Sequence, residues 1–153
     1  MPRVVISDTS VLIVFSKIEQ LDLLKNVYTK VYTTPEIIKE FGEEAPEWII
    51  VESVTDKKYQ ESLETQIDKG EASALALAKD YDDCLILLDD LKARKLAAKL
   101  NLKFTGSLGI IHKAKQLGLI EGVKPMINKL METDFRISDA VLSEILRLND
   151  EEA

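Results

Sequence analysis

Acidic side chains recur in this chain where an apolar run ends or a helix-like stretch begins. Asp8 follows VVIS and is joined by Thr9 and Ser10. Asp89 and Asp90 close the run LILL, and a cationic pattern, LKARKLAAK, comes directly after them. Glu40 lies about a turn and a half into the segment after KVYTT, and Glu71 opens the small-residue stretch GEASALALA. Thr105, Gly106 and Ser107 follow LKF. A donor set made of carboxylates and hydroxyls suits a hard cation, Mg²⁺ or Mn²⁺. Zinc is not favoured, because the chain has one Cys, Cys84, and one His, His112. The same shortage removes a Ser-His-Asp triad unless His112 serves, and no G-x-S-x-G elbow is present. TGSLG lacks the G-K-[ST] ending of a Walker A loop, although a phosphate could sit on the amides of a helix starting there.

Each acid also has an ordinary account. Asp8 and Asp90 can cap the helices that follow them, Glu71 can complement a helix dipole, and Glu40 can be a solvated helical residue. Taken together they are harder to dismiss. Two carboxylates about 4 Å apart repel by roughly 4 kcal/mol at an effective dielectric near 20, and protonation or a bound cation relieves that.

The elements that must position these groups alternate in type. Val4–Ser7, Lys30–Thr34, Trp48–Val54, Leu85–Leu88 and Leu102–Gly106 are short, β-branched or continuously apolar, as strands buried on both faces are. Between them lie helix-like stretches over Ile18–Asn26, Pro35–Gly42, Tyr59–Asp68, Glu71–Tyr81 and Leu91–Leu100, and another starts near Ser107 and stops at Gly118. Thr34 and Pro35 form a helix start and Gly42 a stop. The alternation predicts an α/β protein, a three-layer α/β/α sandwich around a mostly parallel sheet of about five strands. Parallel sheets of this kind place active sites at the carboxyl ends of their strands, near a switch in strand order. Asp8, Asp89 and Asp90 follow such ends directly, Glu40 lies in the helix after one, and Glu71 opens a helix of its own.

A chain of 153 residues suits one domain, 1–153, with 122–148 forming a C-terminal helical extension. In that extension Ser138 is a helix cap, and Ile137, Val141, Leu142, Ile145 and Leu146 share a face; the NDEEA end is expected to fray. No apolar run approaches the roughly 18–20 residues of a membrane span, and MPRVVISDTS lacks a signal-peptide core, so a cytoplasmic protein with no membrane partner is expected. Cys84 reads as a buried free thiol. Net charge is −7, yet Leu91 to Ile120 holds seven Lys or Arg and no Asp or Glu, leaving −14 for the remainder. That block is either a solvated helical face or a surface for a polyanion.

SDTSVLI, TTPEIIKEF, GEASALALA and LLDDLKAR, in this order and over nearly the full chain, resemble the four motifs of PIN domains, metal-dependent ribonucleases that include the VapC-type toxins. LLDD-x-x-AR, T-G-[ST]-L-G and FRISDAVLSEILR resemble a prokaryotic PIN-like branch. The resemblance implies Asp8, Glu40, Glu71 and Asp90 as catalytic and metal-binding residues. Asp89 would be a neighbour or substitute ligand, and Ser10, Thr105 and Ser107 supporting hydroxyls. Glu71 stands where many toxin members have Asp, one methylene shorter. The resemblance further implies Mg²⁺ or Mn²⁺ as cofactor and RNA, in single-stranded form, as substrate. An antitoxin protein and a homodimer are the partners it suggests. Lys92, Arg94, Lys95 and Lys113 would hold the phosphate backbone. No aromatic stacking platform stands out. Two readings stay open: a ribonuclease, such as the toxin of a toxin–antitoxin pair, or a weak or inactive module that binds nucleic acid or protein. A receiver-like phosphoacceptor fits less well, since its paired acids belong at the first strand. HAD-type phosphatases need a D-x-D-x-T motif that DTSVL does not supply.

Overall fold

A computed structural model describes residues 4–151; the expected domain bounds 1–153 extend beyond it at both ends. Five strands, β1 (Val4–Ser7), β2 (Val31–Thr33), β3 (Ile49–Val51), β4 (Cys84–Leu87) and β5 (Lys103–Thr105), form one sheet in the order β3-β2-β1-β4-β5, with every pairing parallel. β1 matches the segment read from the sequence, β4 is shifted one residue earlier than Leu85–Leu88, and β2, β3 and β5 lie within their expected segments, trimmed by two to four residues. Their apolar runs are continuous because helices cover both faces; Ile6, Ile86, Leu87 and Leu88 are fully buried. Cys84 is a buried free thiol, and burial pushes its pKa up to about 12, so it is inert.

The helices are α1 (Thr9–Lys17), α2 (Leu21–Tyr28), α3 (Pro35–Phe41), α4 (Lys57–Leu63), α5 (Lys69–Ala78), α6 (Leu91–Lys99), α7 (Ser107–Gln116), α8 (Val123–Met131) and α9 (Asp139–Leu148). The stretch expected over Ile18–Asn26 corresponds to α2, displaced by two to three residues, and α1 is the helix that Asp8 was expected to cap. α1 begins directly after Asp8, and its Val11, Leu12, Val14 and Phe15 are buried. Glu19, with φ of +58°, separates it from α2.

Of the NDEEA end, Asn149 to Glu151 depart from the expectation of fraying, and Glu152 and Ala153 lie outside the described residues. Glu151 accepts hydrogen bonds from the Val123 and Lys124 amides at 2.8 and 3.1 Å, capping α8, and pairs with Lys115 at 3.1 Å. Asn149 is buried and meets His112 Nδ1 at 3.1 Å. The face expected on α9 is only partly covered: Ile145 and Leu146 are buried, while Val141 stays 47% exposed.

A buried polar chain joins α3 to α5. The Ser73 hydroxyl donates to Gly70 O at 2.7 Å, so the 2.7 Å bond between the Thr34 and Ser73 hydroxyls is donated by Thr34. Thr34 Oγ1 in turn accepts from the Ile37 amide, capping α3. Both side chains are fully buried. Ser73→Ala leaves the Thr34 hydroxyl without its acceptor and is expected to lower stability by about 1–3 kcal/mol, read as a shift in the urea midpoint at unchanged slope.

Candidate metal-binding carboxylate centre

Strand order reverses between β1 and β4. The chain steps outward from β1 through β2 to β3, then crosses back to the other side of β1. The two central strands run in register from Val4 beside Cys84 to Ser7 beside Leu87, so Asp8 and the Leu88–Asp90 segment leave the sheet side by side. The Asp8 amide donates to Leu87 O at 3.1 Å, and the Thr33 hydroxyl to Ser7 O at 3.0 Å. This crevice is where a parallel sheet builds a ligand site.

Asp8 is 1% exposed and caps α1, accepting from the Val11 amide through Oδ1 at 3.0 Å. Burial raises its pKa well above the usual carboxylate range, and the charges of Asp89, Glu71 and Asp68 add to this against the Val11 bond. Glu71 sits in the first turn of α5. Burial, then the charges of Asp68 and Asp90, lift its pKa to about 7, with Glu40 adding to the effect. Glu40 reaches over from α3 and accepts a 3.4 Å hydrogen bond from the Thr9 hydroxyl. Its pKa is raised by burial and by Asp68. Space for its carboxylate exists because residue 70 is glycine: a Cβ there would collide with Glu40 Oε1.

Asp89 and Asp90 part company at the end of β4. Both oxygens of Asp89 are taken by Ser107, from its amide at 2.7 Å and its hydroxyl at 2.6 Å, which ties β4 to the start of α7. Gly106 permits this, since a Cβ there would meet Asp89 Oδ1 and Arg94. Asp90 caps α6 through Oδ2, accepting from the Ala93 amide at 2.9 Å.

Asp68 was not among the residues singled out in the sequence. It caps α5 in a reciprocal box with Glu71: the Glu71 amide donates to Asp68 Oδ1 at 2.8 Å, and the Asp68 amide to Glu71 Oε1 at 3.3 Å. The D-x-x-E spacing ahead of an apolar run was its available signal. Among the other hydroxyls, Ser10 is exposed beside the centre, Ser107 is buried on Asp89, and the Thr105 hydroxyl packs against Gly109 of α7.

The cations divide by role. Lys92 and Lys95 are exposed on α6, just past Asp90. Arg94 Nε donates to Leu88 O at 2.7 Å and its guanidinium lies 5.3 Å from the centre of the Phe104 ring, so it braces the loop that carries Asp89. Lys113 stands six residues along α7 from Ser107, about 9 Å of helix rise.

The donor set is oxygen alone, from four separate segments, and its chemistry fits a hard divalent cation. The cap bonds of Asp8 and Asp90 each use one carboxylate oxygen. Among the described residues, no three His, Cys, Asp or Glu groups already converge closely enough to hold an ion. Binding would therefore require side-chain rotation that draws the carboxylates inward.

The raised pKa values fix a sign. Folded Asp8 and Glu71 retain protons that an unfolded chain releases near pH 4, so the native state binds more protons and loses stability as pH rises. For Glu71 the loss runs up to about pH 7. In chelator the melting temperature is expected to fall between pH 5 and pH 8. Asp8→Asn or Glu71→Gln should flatten that fall, as thermal denaturation followed by circular dichroism can measure.

A family model described as a PIN domain matches residues 4–151. No curated protein and no solved structure gives a significant match. No helix among the described residues is long and apolar enough to cross a membrane.

Proposed function

The chain belongs to the PIN-domain family, whose members are generally nucleases using divalent metals, and from that premise we propose that it is a metal-dependent endoribonuclease acting on single-stranded RNA. The observation that carries this reading is the gathering of Asp8, Glu40, Glu71 and Asp90 at the switch point, with the pKa of Asp8 raised and that of Glu71 raised to about 7. Such a cluster favours a counter-cation.

In this reading Asp8, Glu40, Glu71 and Asp90 hold Mg²⁺ or Mn²⁺, and Asp89 supports them by fixing the start of α7. When bound, the metal supplies a water of lowered pKa and neutralises charge on the phosphodiester. Thr9 orients Glu40 through its hydrogen bond. Lys92 and Lys95 draw the phosphate backbone toward Asp90, which reconciles a net charge of −7 with a polyanionic substrate. Water attacks phosphorus and the bond to the 3′ oxygen breaks, leaving a 5′-phosphate and a 3′-hydroxyl. A toxin role would add an antitoxin partner; exposed Val141 and Leu148 on α9 offer an apolar contact for it or for a second copy in a homodimer.

The second reading, a weak or inactive module binding nucleic acid or protein, draws on the absence of three converged ligands among the described residues. Calorimetric titration with Mn²⁺ separates the two, since an inactive pocket would take up little metal. The decisive comparison is cleavage of labelled single-stranded RNA in Mn²⁺ by the wild type and by Asp8→Asn. A loss on the order of 100-fold or more is expected for the variant, and equal cleavage by both would overturn the assignment.

Gly70→Ala gives a subtler test. Alanine is the better helix former by up to about 1 kcal/mol, so α5 should keep its stability while the methyl displaces the Glu40 carboxylate. The expected outcome is an unchanged melting temperature with weakened Mn²⁺ binding and slower cleavage.

A further inference from the structure

Beside the carboxylate centre opens a cleft of about 340 Å³ that the metal chemistry leaves without a role. Ser10, Ile13 and Lys17 of α1, Asp89 after β4 and Phe135 after α8 contribute to its lining. It adjoins the centre through Asp89, which leaves the sheet beside Asp8, and through Ser10, two residues from Asp8. Phe135 is half-buried and rigidly presented. Its amide donates to Thr133 Oγ1 at 3.1 Å, while that hydroxyl donates to Leu130 O at 2.6 Å.

We propose that this cleft holds one unpaired nucleobase of the RNA, stacked on Phe135 and facing Ile13, next to the phosphate that is cut. The proposal rests on the ribonuclease reading. Charge selects the occupant: Asp89 and Asp134 line the cleft against the one cation Lys17, so the net negative wall disfavours a phosphate while leaving a neutral base unopposed. Apolar surface from Ile13, Val14 and Phe135 matches the faces of a base, which is the least polar part of a nucleotide. The volume lies near the lower end for small-ligand sites, room for a base with its sugar and too little for a stacked pair of strands. Exposed Lys17 at the cleft wall, and exposed Arg136, whose guanidinium donates to the Thr133 and Phe135 carbonyls, can meet phosphates next to the held nucleotide. Phe135 is thus a positioning residue for the substrate strand, set far along the chain from the acids it serves.

The test uses the full chain in the Asp8→Asn background, where RNA should not be cut. Fluorescence anisotropy follows binding of a labelled single-stranded oligoribonucleotide and of a set in which one nucleotide at a time is abasic. Removal of one particular base should weaken binding by about 5- to 150-fold. Phe135→Ala should cause a similar loss on intact RNA and little further loss with that abasic strand, whereas Phe135→Trp should bind normally. Phe135→Leu keeps apolar volume without an aromatic face and should behave like Phe135→Ala, which separates stacking from mere packing. Because the abasic arm alters only the RNA, a folding defect in a variant cannot mimic it. Unchanged affinity of Phe135→Ala, or losses from variant and abasic strand that simply add, would overturn the subsite. If the wild type cleaves RNA with Mn²⁺ and Phe135 proves indifferent, the subsite alone falls. If the wild type neither binds nor cleaves RNA, the ribonuclease reading falls and takes the subsite with it.

Discussion

Mutual repulsion among carboxylates at the end of β1 and β4 is the constraint around which the molecule is arranged. Asp8, Asp89 and Asp90 are brought together by strand register, and Glu40, Asp68 and Glu71 are added by α3 and the start of α5. Nothing in hydrophobic packing requires this. The core could close equally well with neutral residues there, and burial of Asp8 is unfavourable to its charged form. The fold accepts that disadvantage because elements outside the centre are strongly tied. The Thr34–Ser73 chain clamps α3 to α5, and the Asp89–Ser107 pair clamps β4 to α7.

The acids also serve the helices. Asp8, Asp68 and Asp90 each accept from a backbone amide in the first turn of α1, α5 and α6. A helix N-terminus carries partial positive charge, so three of the repelling groups are held partly neutralised by the scaffold they start. Capping and metal binding are therefore complementary accounts of one residue, because a carboxylate has two oxygens. Asp89 is the exception. Both of its oxygens accept from Ser107, which makes it a brace between β4 and α7.

Much of this was legible before any coordinates. Continuous apolar runs gave the strands, Thr34-Pro35 and Gly42 bounded α3, and the position of acids after strands pointed to one sheet edge. Other features depend on contacts that sequence spacing does not display. α1 was foreseen only as a helix that Asp8 could cap, without bounds, because the apolar run VLIVF blurs the helical period. Asp68 looked like the end of a helix instead of the cap of the next. Arg94 read as one cation in a basic run, yet its side chain is drawn inward to Leu88 O and the Phe104 ring. Phe135 drew no notice in the sequence because it shares a cleft with Ser10 and Asp89 only through the placement of α8. The fraying expected of the tail ignored that Glu151 could cap α8, a helix whose own N-cap, Gly122, has no side chain for the purpose.

The three cap bonds have a consequence for observing the protein. The amide protons of Val11, Glu71 and Ala93 point at Asp8, Asp68 and Asp90, three carboxylates of one acidic cluster. They lie in three remote stretches of sequence, yet they face a common cluster. In a nuclear magnetic resonance spectrum they are built-in reporters, three separate signals that answer to one place in the fold.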